Sequence, residues 1–109
     1  MKQRTYSKYA QEAAKLMGAQ IKLGRKQRHW SEKNLADRVG ISRATLQKIE
    51  NGEMSCAIGL VFEAATIVGI KLFEPNNTSL SKNIEHTRDK IALLPQRIKT
   101  KTKAVHDDF

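Results

Sequence analysis

The side chains that can do chemistry in this chain are suited to recognition rather than to catalysis. The 109-residue sequence has no G-x-x-x-x-G-K phosphate-binding loop and no G-x-S-x-G nucleophile motif. Its carboxylates do not cluster, apart from the pair Asp107 and Asp108. The single cysteine, Cys56, excludes an internal disulfide, and three scattered histidines give no metal-ligand spacing. We therefore expect no enzyme activity, no bound metal and no cofactor.

A strong excess of positive charge indicates a polyanionic partner. Lys and Arg number 20 against 11 Asp and Glu, which gives a formal net charge of +9. Solubility alone predicts a nearly balanced surface, so nucleic acid is favoured, ahead of anionic lipid. The sequence shows no signal peptide and no long apolar run, so we expect a cytoplasmic protein with no membrane contact.

The stretch Ser31–Gly52 predicts two short helices joined by a turn. Ser31 and Ser42 each precede a helical pattern and can cap it with a side-chain oxygen. Gly40 lies just after the first helix, where glycine adopts a left-handed turn most easily. A connection this short makes the two helices cross steeply, as in a helix-turn-helix. The apolar residues repeat at helical spacing in each half: Leu35, Ala36 and Val39 in the first, and Ile41, Leu46 and Ile49 in the second.

On these residues the chain resembles the Cro/phage-repressor-like (XRE) DNA-binding domains, and within them the HipB-type antitoxins that accompany HipA kinases. The resemblance implies an all-α fold, a five-helix-type lambda-repressor-like helix-turn-helix domain with a short C-terminal β-strand for dimerisation and an extended tail. It covers roughly residues 15 to 73. The matching residues are Leu35-Ala36, Val39-Gly40-Ile41-Ser42, Ala44-Thr45-Leu46 and Ile49-Glu50-Asn51-Gly52, with Arg25 upstream.

The resemblance also implies which residues touch DNA. Arg43, Ala44 and Lys48 would face base edges, because arginine matches the N7 and O6 acceptors of guanine and alanine can meet a thymine methyl. Lys48, a point charge on a flexible stem, can settle on phosphate instead. The plain alternative makes Arg43 one more exposed cation. The expected phosphate contacts are Ser31, Lys33, Asn34, Ser42, Thr45 and Gln47, of which the last three can also reach bases.

One residue departs from the family pattern, and one pair follows it. Many relatives have glutamine where this chain has Glu32, whose carboxylate suits a helix N-terminus but repels phosphate. A phosphate contact at that position is then left to neighbouring residues. Arg25 and Glu50 can be ordinary surface charges. By resemblance, they instead form a structural ion pair that joins the first helix to the end of the recognition helix.

The remaining apolar residues predict helices on both sides of the motif and a dimer contact after it. One helix is expected over Tyr9–Gln27, with Ala13, Leu16, Met17, Ile21 and Leu23 inward, and another over Ala57–Val68. Phe62 and Ile67 fall off the inner stripe of the second helix; they can be plain surface residues, but a second apolar face favours contact with another subunit. The alternating run Ile70, Lys71, Leu72 and Phe73 predicts a strand that needs a partner. Ile70, Leu72 and Phe73 would then hold a two-fold homodimer, which reads a palindrome.

These patterns predict three segments: a flexible N-terminal arm at 1–8, a DNA-binding and dimerisation domain at 9–74, and a linker and tail at 75–109. A helix over Asn83–Leu94 is expected within the tail. The last residues, Asp107, Asp108 and Phe109, can be an ordinary terminus. By resemblance to HipB, they would instead dock on the toxin.

The resemblance implies an antitoxin and autorepressor of a HipBA-type operon in the bacterial nucleoid. Its partners would be double-stranded operator DNA, a second copy of the chain and a HipA-like serine/threonine kinase toxin. The alternative is an XRE-family transcription regulator without a toxin partner.

Overall fold

The described part of the chain is all-helical. The computed structural model describes residues 4–73 and 79–97, and these ranges contain five helices and no strand. The helices are α1 (Lys8–Gln27), α2 (Glu32–Val39), α3 (Arg43–Glu50), α4 (Ile58–Ile67) and α5 (Leu80–Ala92).

The chain divides into two units, residues 1–73 and residues 74–109. The first contains α1 to α4, and the second contains α5. Helix α5 begins after Ser79, whose hydroxyl accepts a hydrogen bond from the backbone N–H of Lys82, and none of its residues is buried. The sequence predicted this helix at Asn83–Leu94; the cap places its start three residues earlier.

The core of the first unit is small and draws on all four of its helices. Helix α2 packs on α3 and α4, and α1 also packs on α3 and α4. Trp30, just before the Ser31 cap, lies half-buried against this core. The buried apolar residues are Ile21, Leu35, Ala36, Leu46, Ile49, Ala64, Ala65 and Val68.

Helix α1 buries a different stripe from the one predicted. Ile21 is buried as expected, but Leu16 and Leu23 are 60% and 56% exposed, and Ala13 is also exposed. The buried face instead runs through glycines, because α1 approaches α3 so closely that a side chain does not fit. At Gly18 a Cβ would lie 2.7 Å from the carbonyl oxygen of Glu50. The glycine that weakens an isolated helix here permits backbone-to-backbone packing.

The strand predicted at residues 70–73 is not supported. Ile70 and Lys71 have no regular structure, and Leu72 and Phe73 lie in a turn. Phe73 has a left-handed backbone with φ of 57°, which no strand contains. Ile70 and Leu72 pack against the core of their own chain, so their burial is satisfied without a partner strand. Ile67, also assigned to another subunit, packs on the same core.

Candidate nucleic-acid interface

Two serine caps and one glycine turn shape the central helix pair. The Ser31 hydroxyl accepts a hydrogen bond from the N–H of Asn34 at 3.0 Å, and the Ser42 hydroxyl accepts one from Thr45 at 3.1 Å. Between them Gly40 is left-handed, with φ of 86°, and its N–H donates to Ala36 O at 2.8 Å. These local bonds end α2, turn the chain and begin α3 within three residues.

Helix α3 has one buried and one exposed side. Leu46 and Ile49 are 0% and 2% exposed and fix the helix on the core. Arg43, Ala44 and Lys48 are exposed and lie on the opposite side. The arrangement presents the first turn of α3, the part of a recognition helix that enters the major groove, to solvent.

Glu32 joins the start of α2 to this exposed side of α3. Its Oε1 accepts hydrogen bonds from Gln47 Nε2 at 2.9 Å and from Arg43 Nε at 3.1 Å. The bond from Gln47, followed by that from Arg43, lowers the pKa of the Glu32 carboxyl. The sequence predicted that Glu32 suits the helix N-terminus and repels phosphate, but it did not predict these bonds, because nothing in the order of residues pairs position 32 with positions 43 and 47.

A buried ion pair fixes the other end of α3 to α1. Arg25 donates from Nε to Glu50 Oε2 at 2.7 Å and from Nη2 to Oε1 at 3.0 Å. The two side chains are only 6% and 3% exposed. Arg25 Nη1 also donates to the carbonyl oxygen of Trp30 at 3.0 Å, and the hydrogen bond to Glu50 raises the pKa of Arg25. The structure thus contains the pair that the resemblance implied for these two residues, in bidentate geometry.

The side chains expected at phosphates surround this surface but already have partners within the chain. Lys33 Nζ lies 3.1 Å from Asp37 Oδ2, in a pair whose side chains are 77% and 66% exposed. Asn34 accepts a hydrogen bond from Arg38 Nε at 2.7 Å. The Ser42 and Thr45 hydroxyls lie 2.9 Å apart. All three are surface contacts that water or a phosphate can replace at little cost.

Arg38, which the sequence reasoning did not single out, lies on the Trp30 ring. Its guanidinium carbon is 4.0 Å from the ring centroid, and that of Arg28 is 5.7 Å away. The available signal in the sequence was a tryptophan among basic residues, because an indole ring attracts cations. The contact holds the exposed side of α2 against the α1–α2 junction.

The predicted dimerisation residues divide into two kinds. Ile70 and Leu72 contact their own core, whereas Phe73 is 70% exposed and meets Phe62 edge-on, with 6.1 Å between ring centroids. Ile58, one turn before Phe62 on α4, is 68% exposed. The predicted partner tail, Asp107, Asp108 and Phe109, lies outside the described residues.

Comparison with known proteins agrees with this geometry. Residues 21–74 match the family described as helix-turn-helix, which is of the XRE type. The domain indicates a DNA-binding transcription regulator. No curated protein matches the chain. Among the described residues, no helix has both the length and the apolar character needed to cross a bilayer.

Proposed function

We propose that this protein is a sequence-specific repressor that places α3 in the major groove of operator DNA. The observation that carries the proposal is that α3 is amphipathic, with Leu46 and Ile49 buried and Arg43 and Lys48 exposed. Arg43 would read a guanine, and Ala44 would meet a neighbouring base edge. Lys48 would contact a base or a phosphate.

Phosphate contacts supply most of the affinity in this proposal. A net charge of +9 supports strong, salt-sensitive binding, because each neutralised phosphate releases counterions. The N-terminal ends of α2 and α3 present free N–H groups, beside which the proposed contacts lie. The proposed phosphate contacts are Ser31, Lys33, Asn34, Ser42, Thr45 and Gln47.

A selection from randomised duplexes tests the readout. The consensus duplex is compared with variants changed at each position, at one fixed salt concentration. Arg43→Ala is expected to remove about 1–3 kcal/mol of discrimination at one position per half-site and to weaken nonspecific binding less. Lys26→Ala, an exposed cation near the end of α1, is the control and should leave the preferences unchanged. Equal loss on both kinds of duplex would make Arg43 a phosphate contact, and no consensus at all would refute specific binding.

The proposed binding unit is a homodimer on a palindromic operator. Its support is an apolar patch of the exposed Ile58 and Phe73 with the half-buried Phe62 between them. The patch is continuous through the Phe62–Phe73 ring contact and the one-turn spacing of Ile58 and Phe62. Leu72 lies beside it but also supports the core, so a polar residue there would disturb both.

Sedimentation of the full chain tests the dimer. Phe73→Lys is expected to yield a monomer. Its affinity for a full palindrome should be lower than that of the unmutated protein. Leu23→Lys, which places the same charge on a similarly exposed leucine of α1, should remain dimeric. A monomeric unmutated protein at micromolar concentration would contradict the proposal.

We further propose that the protein is the antitoxin of a HipBA-type operon, which it represses, and that it neutralises a HipA-like kinase. This rests on the resemblance of residues 15 to 73 to HipB-type proteins and on the acidic and aromatic residues Asp107, Asp108 and Phe109. The chain itself would carry out no catalysis. Deleting residues 105–109 should weaken binding of a co-expressed HipA-like kinase and leave operator binding intact. Unchanged kinase affinity would dismiss the tail, and no complex at all would favour a regulator without a toxin partner.

A further inference from the structure

Three side chains from α2 and α3 meet at one carboxylate oxygen on the exposed side of the domain. Glu32 Oε1 accepts from both Arg43 Nε and Gln47 Nε2. Arg43 and Gln47 are four residues apart, so they lie on one face of α3, and Glu32 is the first residue of α2. The carboxylate therefore ties the two helices of the motif together at the point where α3 begins.

A carboxylate at this place lowers the affinity for DNA. It repels phosphate, and its charge offsets that of Arg43, whose side chain is 65% exposed. The hydrogen bonds from Gln47 and Arg43 lower the Glu32 pKa, so the group stays ionised at neutral pH. Any contribution of Glu32 to DNA recognition must then come from its effect on Arg43 and Gln47.

The hydrogen bonds determine which donors and acceptors the partners have left. With Nε bound to Glu32, the Arg43 guanidinium keeps the four N–H groups of Nη1 and Nη2, the two-pronged edge that matches guanine O6 and N7. With Nε2 bound, the Gln47 amide keeps its oxygen and one N–H. A free arginine can swing to the nearest phosphate, whereas one held at Nε is restricted to a narrow range of orientations.

We propose that Glu32 is a positioning residue for sequence readout, which holds Arg43 end-on toward a guanine and so exchanges nonspecific affinity for discrimination. The inference rests on the proposed DNA-binding function and adds to it the residue that makes Arg43 a base reader. The carboxylate acts through Arg43 and does not itself need to touch DNA.

Two substitutions at position 32 separate the charge from the hydrogen-bond acceptor. Glu32→Gln removes the charge and keeps an oxygen at the same distance, whereas Glu32→Ala removes both. Each is measured on the consensus duplex from the selection, on the duplex changed at the Arg43-dependent guanine, and on an unrelated duplex. Discrimination is the ratio of the first two affinities measured on one sample, so a partly unfolded fraction cancels.

The expected result is a change of opposite sign in two quantities. Affinity for the unrelated duplex rises severalfold in both variants, because a negative charge is lost near phosphates. Discrimination falls by about threefold to tenfold in Glu32→Ala, part of the range that a bidentate arginine–guanine contact supplies, and falls less in Glu32→Gln. Asp37→Asn, at an exposed carboxylate of the same helix that pairs with Lys33, should leave discrimination unchanged. Unchanged discrimination in both position-32 variants would overturn the inference.

A double substitution distinguishes this failure from failure of the proposed function. If Glu32 acts through Arg43, then Glu32→Ala has no further effect on discrimination in an Arg43→Ala background. If Arg43→Ala alone leaves discrimination intact, the readout assigned to Arg43 is wrong. If Arg43→Ala abolishes discrimination but Glu32→Ala does not reduce it, only the positioning role is wrong.

Discussion

The buried Arg25–Glu50 pair gives the sharpest prediction for stability. Replacing Glu50 with leucine leaves the Arg25 guanidinium, only 6% exposed, without the carboxylate that accepts its Nε–H and one Nη2–H. Removing one partner of a buried pair costs about 3–5 kcal/mol. Small domains have about 5–15 kcal/mol in total, so Glu50→Leu should remove a large part of the free energy of unfolding.

The double variant Arg25→Met/Glu50→Leu should be more stable than Glu50→Leu alone. It removes the stranded charge, and an apolar pair of similar volume fits the same space. The carbonyl of Trp30 then lacks the donor Arg25 Nη1, which costs about 1–3 kcal/mol. We therefore expect a loss of about 1–3 kcal/mol relative to the unmutated protein, smaller than the loss from either single change.

Urea and thermal unfolding of Glu50→Leu, Arg25→Met and the double variant, followed by circular dichroism, measure these differences. A loss of 1 kcal/mol lowers Tm by about 4–8 °C in a domain of 60–100 residues. Asp37→Ala, which breaks the exposed pair with Lys33, is the control and should cost less than about 1 kcal/mol. If the double variant loses the sum of the two single losses, the partners act independently and the reasoning fails.

Three further predictions concern a close contact, a cap and a titration. Gly18→Ala should destabilise the domain by about 1–3 kcal/mol, because the new Cβ meets the backbone of α3. The control Gly59→Ala, with open space around it, should stabilise the domain. Equal effects of the two changes on Tm would contradict the close contact at Gly18. Ser42→Ala should cost about 1 kcal/mol through loss of the α3 cap, and an unchanged urea midpoint would deny it that role. Because Gln47 and then Arg43 lower the Glu32 pKa, the carboxylate's contribution is complete above the ordinary carboxyl range and lost only as the pH falls through the lowered pKa. Base discrimination should then be constant from about pH 8 to about pH 6, and a fall within that window would mean that another group titrates.

The sequence by itself located the helices and the turn between α2 and α3. Ser31, Gly40 and Ser42 are local signals, because a cap or a left-handed turn depends on residues only a few positions away. The predicted helices at 9–27 and 57–68 accordingly lie within one residue of the observed bounds at each end. The excess of lysine and arginine likewise needed no structure to indicate a polyanionic partner.

Tertiary packing decided what lies inside and which distant side chains meet. Leu16 and Leu23 are exposed and Gly18 is buried. The reason is that the backbones of α1 and α3 approach so closely that a leucine side chain does not fit between them. Residues 70–73 alternate like a strand, yet Ile70 and Leu72 pack against the core of their own chain without forming one. The link from Glu32 to Arg43 and Gln47 spans 11 and 15 positions, and only the angle between two helices brings those groups within hydrogen-bond distance.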